Sequence, residues 1–151
     1  MSTDGDVPRG ATCSALSSVT LTPPTLLVCL QVHSGTLRSI HRSGVFAVNL
    51  LHARGQQAAQ VFSSQHTDRF GQVRWEVLDS SGLPYLCDDA FAVASCRATA
   101  MMVVGDHTVV VGEVFDIHLS PDVPLLYGLQ RYAAWPNAEL SVLSPSQSAD
   151  R

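Results

Sequence analysis

The chain has 151 residues, 46% of them hydrophobic and 15% charged, with a formal net charge of −4. That balance excludes a disordered chain, which needs low hydrophobicity and high charge, and argues against a nucleic-acid partner, for which a basic patch is expected. All nine basic residues are Arg, so Schiff-base chemistry and a Walker-type phosphate lysine are excluded.

Taken in chain order, residues 1–10 (MSTDGDVPRG) are polar and acidic, show no signal-peptide pattern, and are expected to fray. An uncharged, hydroxyl-rich stretch follows from Thr12 to Thr20 and runs into Pro23-Pro24. Hydroxyls and turn N–H groups together can hold a phosphate without lysine, while Ser and Thr equally favour ordinary turns and strand ends. Residues 25–33 (TLLVCLQVH) read as a buried strand. Residues 36–42 (TLRSIHR) read as a short helix with Ser34 or Thr36 as N-cap. Its N-terminus, with His33, Ser34, Thr36 and Arg38 around it, would suit an anion or serve only as a capping turn.

Gly44 introduces a second strand at 45–51 (VFAVNLL). Residues 54–65 read as an amphipathic helix with Ala58, Val61 and Phe62 on its buried face. The segment from His66 through Asp68, Arg69, Phe70 and Gly71 to Trp75 mixes charge, an aromatic and glycine, as ligand-contacting loops do. The plain alternative is a surface ion pair of little worth. Residues 91–104 read as a third strand whose core face carries Ala92, Ala94, Cys96, Ala98, Ala100, Met102 and Val104, opposite Ser95, Arg97 and Thr99. Gly105-Asp106 turns it into a fourth strand at 107–118, giving a long hairpin, in which Gly112 signals a bend or bulge. Residues 141–151 form a polar tail.

Strands separated by short helices, without regular βαβ alternation, predict a mainly β antiparallel barrel with peripheral helices. It forms one domain over 11–140. No apolar run reaches the roughly 18 residues of a membrane span. Cys13, Cys29, Cys87 and Cys96 form no C-x-x-C pair and read as reduced, small hydrophobes of a cytoplasmic protein. G-x-S-x-G, H-E-x-x-H and G-x-G-x-x-G are absent, so neither a hydrolase elbow nor a metal centre nor a Rossmann site is expected.

Six blocks in a fixed order resemble the flavin reductase family, the reductase components of two-component flavin-dependent monooxygenases. They are ATCSALSSVTLTPP with its following strand; Ser34-Gly35-Thr36; residues 44–49 (GVFAVN); Asp68-Arg69-Phe70 with Trp75; Gly105-Asp106-His107-Thr108 with Gly112-Glu113-Val114; and PLLY with Arg131-Tyr132. The resemblance implies the FMN-binding split barrel, a Greek-key β-barrel with helices, working as a homodimer. It implies FMN or FAD as bound flavin, NADH or NADPH as hydride donor, and a monooxygenase receiving the reduced flavin. Against that pattern, the N-terminal helix and first strand are expected to be missing ahead of residue 11.

By the same resemblance, Thr12 and Ser14, with the backbone at Ala11 and Ala15 and Cys13 between them, would contact the isoalloxazine edge. Ser17 and Ser18 would meet the ribityl and phosphate, with His33, Ser34, Thr36 and Arg38 nearby. Asp68, Arg69 and Phe70 would form the loop covering the flavin, while His107, Tyr127, Arg131 and Tyr132 would hold the nicotinamide nucleotide. No catalytic side chain is expected, because hydride passes directly between the cofactors. A non-catalytic split-barrel flavin binder and a truncated or partner-dependent subunit are the alternative readings.

Overall fold

The structure is a computed structural model and describes residues 1–136. The chain opens with β1 (Ser2–Asp4) and β2 (Val7–Arg9), then β3 (Leu16–Leu21), β4 (Pro24–Gln31), α1 (Gly35–Ser43) and β5 (Val45–Leu51). A 3-10 turn at Ala53–Gly55 leads into α2 (Gln56–Ser63). A second turn, Phe70–Gln72, precedes β6 (Glu76–Val77), β7 (Pro84–Tyr85), β8 (Ala90–Val104), β9 (His107–Leu119), β10 (Leu125–Gly128) and β11 (Arg131–Ala134). Strands β3-β4-β9-β8-β5 make one five-stranded antiparallel sheet in that order, and β1–β2, β6–β7 and β10–β11 are two-stranded ribbons. Among the described residues no helix is long and apolar enough to cross a membrane. The expected tail at 141–151 and the end of the expected domain lie outside the described residues.

Residues 1–10 do not fray, and they form neither a helix nor a sheet strand of the main barrel. They pair as the β1–β2 hairpin. Ser2 is fully buried; its hydroxyl donates to the Val45 carbonyl (2.9 Å) and accepts from Ser39 (3.2 Å), while the Ala47 N–H donates to the Met1 carbonyl (2.7 Å). Hydrogen bonds to α1 and β5 order this segment, so its low hydrophobicity misleads.

The two helices follow their local signals. Ser34, not Thr36, caps α1 by accepting from the Leu37 N–H (3.1 Å), and Gly44 ends the helix in the left-handed conformation. Ala58, Val61 and Phe62 of α2 are buried as their spacing predicts.

The β8–β9 hairpin turns at Gly105 (φ 58°) and Asp106, but the core face of β8 is not the single alternating set expected. Val93 and Ser95 are buried, whereas Met102 and Val104 are 61% and 54% exposed. The change has two causes: Thr99, an extra residue on β8 between the Ala98 and Ala100 pairs, turns Met101 rather than Met102 to the main core, while Val93 and Ser95 lie on the opposite face of β8, where Leu78 and Leu83 pack on Val93 and Ser81 bonds Ser95. An extra residue shifts the phase of a period-two pattern.

The main core packs Phe46, Ile40, Leu37, Val28, Leu30, Cys96 and Val110 between α1 and the sheet. Gly112 sits beside the Thr99 bulge for reasons of room: a Cβ there would lie 2.5 Å from the Phe46 ring. Phe46 thus reaches from β5 across β8 onto β9.

Candidate functional site

A cavity of about 350 Å³ opens beside β5. Ala11, Thr12, Cys13 and Ser14 form one wall; Val28, Leu30, Thr36 and Ile40 come from β4 and α1; Ala58, Ala59 and Phe62 come from α2. Residues 46–51 of β5 and Leu86 complete the floor, and Leu125, Tyr127 and Tyr132 stand at the other side. Among the described residues no charged side chain lines it.

The 10–14 wall is fastened to α2 from several directions. The Thr12 N–H donates to the Phe62 carbonyl (3.2 Å) and the Thr12 hydroxyl to the Ala59 carbonyl (2.6 Å). Cys13 Sγ donates to the Cys29 and Ala15 carbonyls (3.2 and 3.3 Å). Arg69 Nη1 donates to the Gly10 carbonyl (3.0 Å) and Nη2 to the Ser64 carbonyl. With its hydroxyl proton committed to Ala59, Thr12 Oγ1 offers a ligand only lone pairs.

Across the cavity, the β10–β11 hairpin is anchored at its base. The Ala53 N–H donates to the Val123 carbonyl (2.7 Å), His52 bridges Pro124, and Arg54 pairs with Asp122. Tyr127 and Tyr132 face each other with ring centroids 4.9 Å apart. Burial raises the Tyr132 phenol above its ordinary pKa, with Tyr127 adding to the effect, so Tyr132 stays a neutral donor.

Of the residues singled out from sequence, the fold gathers Ala11, Thr12, Cys13, Ser14, Thr36, Tyr127 and Tyr132 around this cavity. The others stand outside its lining. Ala15 is tied to β4 through its carbonyl, which accepts the Cys29 N–H (3.0 Å). Ser17 and Ser18 lie on β3, an edge strand exposed along its whole length. Ser34 is spent as the α1 cap, and Arg38 is exposed on that helix.

Asp68 accepts from the Gly71 N–H (2.9 Å) and closes its own turn; Phe70 stacks edge-on between Phe62 and Trp75. The Asp68–Phe70 segment therefore braces the wall from behind. Arg131 is exposed on β11. His107 lies at the β8–β9 tip, paired with Gln31; His33 and Asp106 border a separate shallow depression there. The Asp106 carboxylate accepts from His107 Nδ1 (2.8 Å), and that bond, reinforced by the imidazole charge, lowers the Asp106 pKa.

The flavin reductase like domain model matches residues 1–136. The chain belongs to this family. It is 54% identical over 132 residues to the flavin reductase (NADPH) of Lentzea aerocolonigenes, spanning 87% of this chain and 77% of that protein. Among solved structures it resembles the NADH:FAD oxidoreductase of Streptomyces globisporus C-1027 in complex with NAD and FAD fragments. That match has a TM-score of 0.80 and 30% identity and covers 87% of this chain and 80% of the other. The styrene monooxygenase flavin reductase of Pseudomonas putida S12 superposes with a TM-score of 0.77 at 30% identity, over 90% and 87% of the two chains. The fold is therefore the split barrel expected from sequence.

Of the cavity residues in this flavin reductase domain that the sequence reading does not name as site residues, one has a polar side chain. Asn49 lines the floor, and its Oδ1 accepts the Leu86 N–H (2.9 Å). Nδ2 is buried and has no partner among the described residues. The available signal was a single amide within the apolar run VFAVNLL, since a strand seldom buries an amide without a use for it.

Proposed function

We propose that this chain is an NAD(P)H:flavin oxidoreductase that supplies reduced flavin to a partner monooxygenase and works as a cytoplasmic homodimer. The observation that carries the reading is the largely apolar cavity walled by the Ala11–Ser14 segment, with no charged side chain among its described lining, in a chain of this family. Such a cavity suits a flat heteroaromatic ring that needs apolar faces and a few neutral hydrogen-bond partners. Hydride transfer from a reduced nicotinamide is chemistry that the bound flavin supplies. Thr12 and Ser14, Val28, Ile40 and Leu51, and Tyr127 and Tyr132 are the lining residues that would hold the ring. Apolar walls keep water away from the transfer.

Purified protein mixed with NADH or NADPH and with FMN or FAD, and followed by the absorbance of the reduced nicotinamide, tests the proposal. Turnover with at least one pair is expected. Flavin retained without turnover would instead make the chain a binding module, and no turnover with any pair would sink the enzyme reading. The NADPH in one relative's name and the NADH in the other's support both donors as substrates to test.

Because no charged side chain among the described residues lines the cavity, recognition rests on the ring. Phosphate contact falls to exposed groups such as Ser17, Ser18 and Arg38, each worth about 1 kcal/mol or less. Riboflavin, FMN and FAD are therefore expected to show KM values within about tenfold of one another. A hundredfold preference for one of them would place a phosphate site inside the cavity after all.

His107 is assigned to the nicotinamide side. His107→Ala is expected to raise the nicotinamide KM several-fold while leaving the flavin Kd, measured by fluorescence quenching, unchanged. Equal losses of both would remove the assignment. The homodimer is supported by Ile117 and Leu119, 65% and 56% exposed and two residues apart on β9, an apolar face that a second copy would cover. Light scattering that gives the mass of one chain would overturn it. Four unpaired cysteines fit the reducing cytoplasm. The styrene monooxygenase reductase among its structural relatives supports a monooxygenase as recipient.

A further inference from the structure

We propose that Asn49 is the residue that reads the flavin ring edge, its Nδ2 amino group donating a hydrogen bond to a neutral acceptor, a carbonyl oxygen or an unprotonated ring nitrogen. The proposal rests on the flavin reading above and adds a residue and an atom to it.

The geometry fixes which end of the amide is free. The Leu86 N–H can only donate, so the atom it meets at 2.9 Å is the amide oxygen, and Nδ2 with its two hydrogens is the other end. That nitrogen is buried without a partner among the described residues. A buried donor left unmade costs about 1–3 kcal/mol, and Asn49 borders the cavity, where an acceptor can be received. The side chain is also held still, because Leu86, itself 1% exposed, grips its oxygen. A fixed donor costs little ordering entropy when it binds.

The surroundings decide the class of acceptor. Phe46, Ala47, Leu51, Ala58 and Leu86 contribute apolar walls, and among the described residues no Arg or His side chain lines the cavity. The cavity's hydroxyls belong to the 11–14 wall, α1 and the β10–β11 hairpin, and a phosphate calls for several donors or a positive charge, so the lone amide of β5 matches the polar edge of an uncharged ring.

Asn49→Asp is the discriminating variant. It keeps the volume and the acceptor for the Leu86 N–H but replaces the free donor with an acceptor. Binding is measured by fluorescence quenching at mildly alkaline pH with two probes, lumiflavin, which is the ring alone, and FMN. Wild type is expected to bind both, and Asn49→Asp, folded by circular dichroism, to bind both at least about tenfold more weakly. Unchanged affinities in the variant would overturn the proposal and leave the flavin reading standing. A loss for FMN but not for lumiflavin would move the contact to the phosphate tail and overturn it too. Wild type binding neither probe would remove the flavin reading and this proposal with it.

Should Asn49→Asp fail to fold, the wild-type side-chain amide gives the same decision by NMR. The two Asn49 amide protons are expected to shift and to exchange more slowly with solvent as lumiflavin is added. Resonances that do not respond would overturn the assignment.

Discussion

Gly112→Ala is expected to destabilise the protein by about 2–3 kcal/mol and to weaken flavin binding, although it adds a single methyl group. The Cβ would lie 2.5 Å from Phe46 Cζ, 2.8 Å from Cε1 and 3.0 Å from the Cys96 Cβ. Phe46 is 1% exposed and Cys96 fully buried, so neither has space to give. The ring has one way out, toward the cavity whose floor it forms. Strain in the sheet and lost ligand volume are thus the same event. Urea unfolding should show the loss at an unchanged slope. A double-mutant cycle tests the cause. Phe46→Leu shortens the intruding side chain, so Gly112→Ala with Phe46→Leu should be more stable than the sum of the single effects by about 1 kcal/mol or more. Strict additivity would show that the methyl clashes elsewhere or nowhere.

Where local chemistry and tertiary demand agree, the sequence could be read directly. VFAVNLL is β5 residue for residue, the Gly105-Asp106 turn joins β8 to β9, α1 follows its Ser34 cap, and α2 follows its apolar spacing. The missed elements share a physical reason, namely that nothing in their own side chains announces them. β1 is ordered by hydrogen bonds to residues more than thirty positions away. All six residues of the edge strand β3 are exposed, so no alternation marks it. The β10–β11 turn places Leu129 and Gln130 at positive φ, where asparagine or glycine would have signalled a hairpin.

The site divides along the same line. The start of the hydroxyl-rich segment, Thr12 to Ser14, lines the cavity, while Ser17 and Ser18 lie on the exposed strand β3. Ser34, Asp68 and Arg69 carry the residue types of a ligand loop, yet they serve as a helix cap, a turn and a clamp. Side-chain type alone does not separate these uses, since the same lone pairs and N–H groups satisfy backbone or ligand. Asn49 is the converse case, a residue counted only as part of a strand, which lines the cavity and whose amide nitrogen is buried with no partner among the described residues.

Phe62→Ala is expected to cost about 3–5 kcal/mol and to lower the melting temperature by roughly 10 °C at the ~2–4 °C per kcal/mol of a chain this size. Phe62 is 3% exposed and joins three parts of the molecule. It fills the space under α2 with Ala58, Val61 and Leu86. Its ring meets Phe70 edge-on at 5.0 Å, and Phe70 meets Trp75 at 5.4 Å, which ties the 68–75 segment to the helix. It also backs Gly10 so closely that a Cβ there would lie 2.8 Å from Phe62 Cε1, and the Gly10 carbonyl is the one Arg69 holds. Removing the ring therefore loosens the start of the wall that presents Thr12 and Ser14, besides opening a void in the core. Val61→Ala separates the two effects. Val61 packs in the same cluster from the same helix but does not line the cavity. Its truncation should cost about 1–2 kcal/mol through lost burial while the folded protein keeps its flavin affinity, whereas Phe62→Ala should weaken that affinity at temperatures where it remains fully folded. If both variants bind flavin as wild type does below their melting transitions, the ring is a core residue only, and the wall owes its position to Arg69 and the Thr12 hydrogen bonds.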